Sequence, residues 1–189
     1  MSTPAGEAIK TERTGAKLPT RDEALKMLAG SGADPKVIRH CIAVSELAVK
    51  IAKLSKKPVD VELVEIGGIL HDIGRSKTHG ITHAVEGAKI AKSLGLPDEI
   101  VKIIMKHIGA GLDEAAAEKF KLPKNDYMPK TIEEKIIAHA DNLLSGAKRI
   151  PVAETVERLV RAQDQVAAKR MLALHKELSE LCGIDLDKI

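Results

Sequence analysis

The stretch LVEIGGILHDIGR, residues 63–75, carries the strongest structural signal in this 189-residue sequence. Its apolar side chains recur at helical spacing and define one buried face, formed by Leu63, Ile66 and Leu70. Gly74 is expected to end the helix, which places His71 and Asp72 in its last turn. An imidazole and a carboxylate are costly to bury without partners. The stretch therefore predicts a helix that delivers two polar groups toward the interior.

Helical signals continue on both sides of this stretch. Two capping boxes, Thr20 with Glu23 and Thr131 with Glu134, mark helix starts, and glycines mark most of the ends. Helices are predicted at residues 20–30, 34–55, 58–74, 82–95, 97–107, 113–120, 131–146 and 151–181. The sequence thus predicts an all-α bundle of about seven or eight helices, with a long charged helix at the C-terminal end.

One domain is predicted. Residues 1–19 lack periodicity and are expected to form a flexible tail, and residues 20–189 form a single helical domain. No internal repeat and no second composition regime interrupts it.

The composition narrows the function classes. Hydrophobic residues make up 44% of the chain and aromatic residues 1%. This argues against β-sandwiches and against aromatic stacking platforms for single-stranded nucleic acid. The formal net charge of +3 is a small surplus that neither indicates nor excludes nucleic-acid binding.

The sequence also predicts a cytoplasmic protein. Cys41 and Cys182 lie far apart beside apolar neighbours, as expected for reduced structural thiols. The first twenty residues lack the apolar stretch of a signal peptide, and no apolar run approaches the length of a membrane span, so no membrane association is expected.

Four polar residues interrupt predicted apolar faces. His40 lies inside the stripe of the 34–55 helix, His71 and Asp72 end the next, and Asp141 interrupts the apolar face of the 131–146 helix. A single histidine in such a place is usually a satisfied core residue, but four such groups, two of them carboxylates, are harder to explain that way. A shared divalent cation, Mn, Fe, Co, Ni, Zn or Mg, would neutralise both carboxylates, provided that the separate helices converge.

These residues resemble the motif of the HD-domain superfamily of metal-dependent phosphohydrolases. HDIGR at 71–75 is similar to the HDIG variant, and THAVEGAKIAKSLGLP at 82–97 and EKIIAHADNL at 134–143 resemble the corresponding family segments. The resemblance covers about residues 36–146 and is close to an archaeal branch of small HDIG proteins of undefined substrate. It implies an HD-type helical bundle with a metal held by His40, His71, Asp72 and Asp141.

The resemblance also draws attention to His83 and His107. Superfamily members with two metals place histidines at these positions, and His107 lies on the apolar face of its helix. His83 sits at a helix start, where capping or solvent exposure is an equally good account. The fuller two-metal pattern often has a second histidine after the later one, and Ile108 stands there instead. One cation or two remain open, with His83 and His107 as second-metal or phosphate ligands.

Three cationic or titratable side chains, Arg75, Lys77 and His79, follow the HD pair in a predicted turn. From there they could reach a substrate phosphate, or they could form a solvated charged loop. His139 and His175 receive no chemical role.

The resemblance implies hydrolysis of a phosphate ester by water activated at the metal, with Asp72, Arg75 and Lys77 as catalytic candidates. The expected substrate is a small nucleotide-like phosphate. Two alternatives stay open: a di-iron oxygenase of the HD type, and a non-catalytic nucleotide-binding or regulatory module. Members of the archaeal branch are sometimes joined to an RNA-modifying enzyme, so an RNA role is conceivable, and a homo-oligomer is an open alternative.

Overall fold

A computed structural model describes residues 16–189 of the chain. Within that part it contains nine α-helices, a two-stranded antiparallel hairpin and two short 3-10 helices. The helices are α1 (Arg21–Gly30), α2 (Pro35–Leu54), α3 (Val61–Leu70), α4 (His83–Ser93), α5 (Asp98–Lys106), α6 (Glu114–Lys119), α7 (Ile132–Asn142), α8 (Val152–Arg161) and α9 (Gln165–Cys182). The hairpin strands are β1 (Leu144–Ser145) and β2 (Lys148–Arg149), and the 3-10 helices span Ile73–Ser76 and Leu186–Lys188. The predicted all-α class is confirmed.

The local start signals act as predicted. Both capping boxes form, with Thr20 capping α1 and Thr131 capping α7, and in each the glutamate three residues later bonds back to the backbone of the cap. The carboxylates of Asp34 and Asp60 accept hydrogen bonds from the first turns of α2 and α3. Three of these starts, those of α2, α3 and α7, belong to helices that carry or lead into candidate ligands.

Close packing of α2 on α3 brings His40 and His71 together. Gly68 allows it, because a Cβ at this position would lie 2.7 Å from the Cα of Ser45. The Ser45 hydroxyl also donates a 2.8 Å hydrogen bond to the carbonyl of Glu65. A larger residue at position 68 would separate the two helices.

A second close approach seats the HDIG turn against α4. A Cβ on Gly74 would lie 1.9 Å from the carbonyl oxygen of His83 and 2.4 Å from the backbone nitrogen of Gly87. The backbone after Asp72 therefore lies directly against the first turn of α4. This contact carries Asp72 to His83.

Three predicted boundaries are wrong. Helix α3 ends at Leu70, so His71 caps it and Asp72 lies beyond it, followed by a 3-10 turn. Helix α7 ends at Asn142 and not near Gly146, because the chain turns into the β1–β2 hairpin with Gly146 at a φ of +59°.

The third wrong boundary lies in the C-terminal part of the chain. The helix predicted over 151–181 is two helices, broken where Gln163 adopts a φ of +59°. The side chain of Asp164 then caps α9 by accepting from the backbone of Ala167.

The N-terminal boundary also differs from the prediction. Leu18 is 3% exposed and belongs to the main hydrophobic core, so packing begins before residue 20. The remainder of the predicted tail, residues 1–15, lies outside the described residues. That core extends from Leu18 to Leu186, and both cysteines are buried and free. Across residues 16–189, no helix has the combined length and apolarity needed to span a bilayer.

Candidate metal centre

The four predicted metal ligands meet at one place. His40 Nε2 lies 2.9 Å from Asp141 Oδ1 and 3.7 Å from Asp72 Oδ2. His71 Nε2 lies 3.7 Å from Asp72 Oδ2 and 3.8 Å from Asp141 Oδ1. Helix α2 supplies the first histidine, the end of α3 supplies the HD pair, and the last turn of α7 supplies the second aspartate. Segments far apart in sequence therefore converge as the metal hypothesis requires.

His83 and His107 join the same cluster through the other oxygen of Asp72. The distance from Asp72 Oδ1 is 3.0 Å to His83 Nε2 and 3.4 Å to His107 Nε2. The two imidazole Nε2 atoms are 3.0 Å apart. His83 is 4% exposed, so the exposed-position account of this residue is wrong. Asp72 faces two groups of ligands, one on each carboxylate oxygen.

All four clustered histidines present Nε2 to the centre. In each, Nδ1 lies 2.7 or 2.8 Å from a backbone carbonyl. A carbonyl can only accept a hydrogen bond, so each Nδ1 carries a hydrogen and, in the neutral ring, Nε2 carries a lone pair. Carbonyl contacts of this kind fix the tautomer of metal-binding histidines. The carbonyls belong to Gly146, Gly68, Gly80 and Ile104, for His40, His71, His83 and His107 in turn.

The converging lone pairs fit a cation. His83 Nε2, His107 Nε2 and Asp72 Oδ1 are acceptors within about one hydrogen-bond length of one another, and acceptors so close repel unless a proton or a cation lies between them. The buried atoms His71 Nε2 and Asp72 Oδ1 have no hydrogen-bond partner. Unpartnered buried acceptors in a ligand cluster are what a metal would satisfy.

Three overlapping ligand sets can be drawn in this cluster. In each, the ligand atoms all lie within 4.8 Å of one another. They are His40–His71–Asp72, His71–His107–Asp141 and Asp72–His83–His107. Imidazole and carboxylate donors suit Mn, Fe, Co, Ni and Zn, with Mg favouring the carboxylates. The donor set therefore fits one or two divalent ions.

The cluster shifts the pKa values of its carboxylates and of His71. Burial raises the pKa of Asp72, but the surrounding His71, His107 and His83 outweigh it and hold that pKa well below its usual range. Burial likewise opposes the lowering at Asp141, where the hydrogen bond from His40 prevails. Burial dominates at His71 and lowers its pKa to about 4, so this ring is neutral and ready to coordinate.

His40 behaves differently from His71. Burial lowers its pKa, but the hydrogen bond and charge of Asp141 outweigh burial and raise the pKa to about 9. Without metal, His40 therefore holds a proton near neutral pH, and that proton lies between His40 and Asp141. A metal that binds there must displace it.

Arg75 contacts the cluster directly. Its Nε donates to Asp72 Oδ2 at 2.5 Å, and one terminal nitrogen donates to the carbonyl of His79 at 3.3 Å. Lys77 and the side chain of His79 are exposed on the turn that follows. Arg75 thus bridges the cluster and this turn. The phosphate-binding roles of all three stay predictions.

Sequence reasoning missed the residues that hold the ligands in place. Asn142 follows Asp141 and donates 2.8 Å to the carbonyl of Gly109, which ties the end of α7 to the loop after His107. The carbonyl of Gly146 was missed because it lies 106 residues from its partner His40. His139, predicted to be a packing or surface residue without a chemical role, is buried, and its Nε2 pairs with Nδ1 of His175 at 3.0 Å.

Sequence comparison matches this chain to a family profile and to individual proteins. The profile of the HD domain matches residues 37–146. A tRNA (cytidine(56)-2'-O)-methyltransferase of Thermoplasma volcanium is 45% identical over 172 residues, which cover 91% of this chain and 50% of that protein. An uncharacterized protein of Methanocaldococcus jannaschii is 45% identical over 150 residues, which cover 77% of this chain and 89% of that protein. The chain thus spans half the length of the methyltransferase relative and most of the other.

Structural comparison gives the same fold. The HD domain of the L. monocytogenes phosphodiesterase PgpH, in complex with cyclic-di-AMP, matches with a TM-score of 0.52 at 20% sequence identity. The match covers 85% of this chain and 96% of that chain. At this identity the likeness concerns the fold alone, and it confirms the predicted helical architecture.

Proposed function

Because this chain belongs to the HD-domain family, we propose that it hydrolyses phosphate esters of a nucleotide or a related small molecule with two divalent cations. The observation that carries the proposal is the position of Asp72 between two ligand groups. Its Oδ2 faces His40 and His71, and its Oδ1 faces His83 and His107. A carboxylate in this position is suited to bridging two ions.

The absence of a histidine at Ile108 does not weaken the second site. His83, His107 and Asp72 already supply three donor atoms, all in buried side chains. Their short separations are unfavourable for three acceptors on their own. This supports a second cation next to the first.

When bound, the divalent cations would activate water for attack at phosphorus and offset the negative charge that develops on the phosphoryl oxygens. The side chains divide the remaining work. The low pKa of Asp72 makes it a poor proton acceptor and a good anionic ligand. Arg75 donates to Asp72 from the edge of the cluster, and the terminal nitrogen that does not bond to the His79 carbonyl is available to a substrate phosphate.

The substrate is expected to be recognised by its phosphates more than by its base. The chain has one Tyr, one Phe and no Trp. The Tyr127 hydroxyl is occupied by the carbonyl of Pro123, and Phe120 follows α6, outside the segments that carry the cluster. Base stacking on aromatic rings is therefore a small contribution, while Arg75 and Lys77 offer charge. The cyclic-di-AMP in the PgpH complex supports a nucleotide-like substrate. The free thiols of Cys41 and Cys182 support a cytoplasmic location.

A regulatory module linked to RNA modification is the second candidate. It is favoured by the 45% identity to half of a protein named as a tRNA methyltransferase. In that case the metal cluster would bind a nucleotide or stabilise the fold, and the chain would act together with an RNA-modifying partner.

The test is turnover of nucleotides, cyclic nucleotides and generic phosphate esters with Mn, Co, Ni, Zn and Mg. Wild type is compared with Asp72→Ala and with Asp98→Asn, a control at an exposed carboxylate on α5. We expect turnover by wild type and Asp98→Asn only. Binding of a nucleotide without turnover of any substrate would favour the regulatory module. Iron in protein purified without added metal, together with oxygen consumption, would favour the di-iron oxygenase.

A further inference from the structure

His40 is held differently from the other clustered histidines. His71, His83 and His107 each donate from Nδ1 to the carbonyl three residues earlier in their own segment. His40 instead donates 2.8 Å to the carbonyl of Gly146, on the turn of the β1–β2 hairpin. The orientation of three imidazoles is therefore set locally, while that of His40 depends on a distant element.

The hairpin cannot hold that carbonyl in place by itself. Each strand has two residues, paired as Leu144 with Arg149 and Ser145 with Lys148. Isolated hairpins of this size are not stable in water. The residues of the turn, Gly146 and Ala147, are exposed and add no packing. Contacts from outside the hairpin must fix its position.

Arg149 supplies those contacts. One terminal nitrogen donates to the carbonyls of Leu143 and Ile150, at 3.0 and 3.1 Å. The other donates to the carbonyl of Leu186 at 2.5 Å. The guanidinium thus joins the end of α7, the exit of the hairpin and the C-terminal 3-10 turn. A planar group with several donors is suited to bridging three carbonyls.

The C-terminal 3-10 turn, Leu186–Lys188, is itself anchored to the rest of the protein. Leu186 is completely buried, and its backbone nitrogen donates to the Ser179 hydroxyl of α9. The carboxylate of Asp187 accepts from the backbone nitrogen of Val152, the first residue of α8, at 3.0 Å, and its charge acts on Arg149. The C-terminal residues therefore hold Arg149 through the carbonyl of Leu186 and the charge of Asp187.

We propose that Arg149 is a positioning residue for the metal ion held by His40. It acts by fixing the hairpin whose Gly146 carbonyl orients His40. Arg149, the hairpin and the C-terminal turn at Leu186–Lys188 together hold this carbonyl in place, and we call them the latch. This inference rests on the proposed function only in taking His40 as a metal ligand. It assigns to the last residues of the chain an influence on metal affinity at a distance.

The experiment is a double-mutant cycle with metal affinity as the readout. Affinities for Mn or Co are measured by competition with a chelator for wild type, Arg149→Lys, His40→Ala and the double variant. Arg149→Lys keeps the charge but has one compact ammonium in place of the two terminal nitrogens that reach these carbonyls. We expect it to weaken one of two bound ions by about 10- to 100-fold, the range for groups that support metal ligands. In the His40→Ala background the same change should cost nothing further.

Controls separate this effect from general loss of structure. Lys148→Ala alters an exposed neighbour in the same hairpin and should leave both affinities unchanged. Asp187→Asn loosens the latch from the other end and should weaken the same ion, so it tests the proposal even if Arg149→Lys folds poorly.

Two results would overturn the latch: wild-type affinity in both Arg149→Lys and Asp187→Asn, or an equal further loss in the His40→Ala background. If His40→Ala itself binds metal as wild type does, the metal assignment of the proposed function fails instead. The two failures are thereby distinguished.

Discussion

The two halves of the candidate metal cluster are built in different ways. The inner half consists of Asp72 Oδ1, His83 and His107, and the side chains of its two histidines are 5% and 2% exposed. The outer half consists of His40, His71 and Asp141, and the side chains of His40 and Asp141 are 16% and 23% exposed. The inner imidazoles are fixed by carbonyls of their own segments, whereas His40 depends on the hairpin.

The two halves therefore differ in how far their ligands are preorganised for binding a metal. Side chains that are fixed by the backbone of their own segment lose little conformational entropy on binding a metal, because their orientation is already set. Both halves require separate helices to dock, but the outer half also requires the hairpin to orient His40, and the side chains of His40 and Asp141 are partly exposed. We therefore expect the inner half to bind its ion more tightly, and the outer half to admit substrate.

The largest effect should come from changing Asp72, whose two carboxylate oxygens face one half of the cluster each. Asp72→Asn removes the negative charge facing each ion, so both affinities should fall by more than the roughly 100-fold seen for supporting groups. The measurement is metal content after dialysis, with Asp98→Asn as the matched control. Retention of either ion at wild-type affinity would contradict the bridging role.

The next test separates the halves. His107→Ala should lose the inner ion and keep the outer one, and Asp141→Asn should do the reverse, so each retains about one equivalent of metal. Metal stoichiometry by elemental analysis gives the answer. Loss of both ions in both variants would mean that the cluster binds metal only as a unit and that the division into halves is wrong.

The stability of the metal-free protein should depend on pH because of His40 in the outer half. The folded pKa of His40 is about 9, above the 6.5 of a free imidazole, so the folded state holds this proton more tightly. The resulting stability is fully present below pH 6.5 and is lost as pH rises toward 9. At about 1.4 kcal/mol per pKa unit, it amounts to at most about 3 kcal/mol.

Thermal unfolding of the metal-free protein between pH 6 and 9.5 measures this loss. His40→Gln should flatten the profile, because it removes the titrating group. His79→Gln is the matched control on an exposed histidine and should leave the profile unchanged. A slope that survives in His40→Gln would assign the effect to other groups.

Arg75→Met should give the smallest of these effects. It removes the 2.5 Å contact to Asp72 and the cation nearest the cluster while leaving every metal ligand in place. We expect about a 10- to 100-fold loss in kcat/KM for a phosphate ester, with metal content retained. Lys77→Met, on the exposed part of the turn, tests whether the second cation contributes. Unchanged kcat/KM in Arg75→Met would remove this residue from catalysis.

The positions proposed as metal ligands could be singled out in the sequence because their signals are local. His40 and Asp141 interrupt apolar stripes, and the HD pair follows one, so each could be read from helical periodicity and from the HDIG motif. The convergence of these positions required the family resemblance, since no periodicity sets the angle between two helices.

Other features lacked a local signal. The hairpin at residues 144–149 has no strand alternation, and Gly146 looks like an ordinary helix end. The break between α8 and α9 contains neither Gly nor Pro, and Gln163 adopts a positive φ without a sequence warning. Asp164 was the available clue, because its side chain caps α9.

The contact between Gly74 and the carbonyl of His83 limits how this centre can diversify. A methyl group there would wedge the HDIG turn away from α4 and pull the inner ligands apart, so this part of the chain tolerates almost no variation in side-chain size. The exposed side chains of Lys77 and His79 in the next turn have no such constraint, although the carbonyl of Gly80 in that turn holds His83 in place. New substrate preferences are therefore expected to arise from changes in those exposed side chains, while the length of the turn and the proposed metal ligands stay the same.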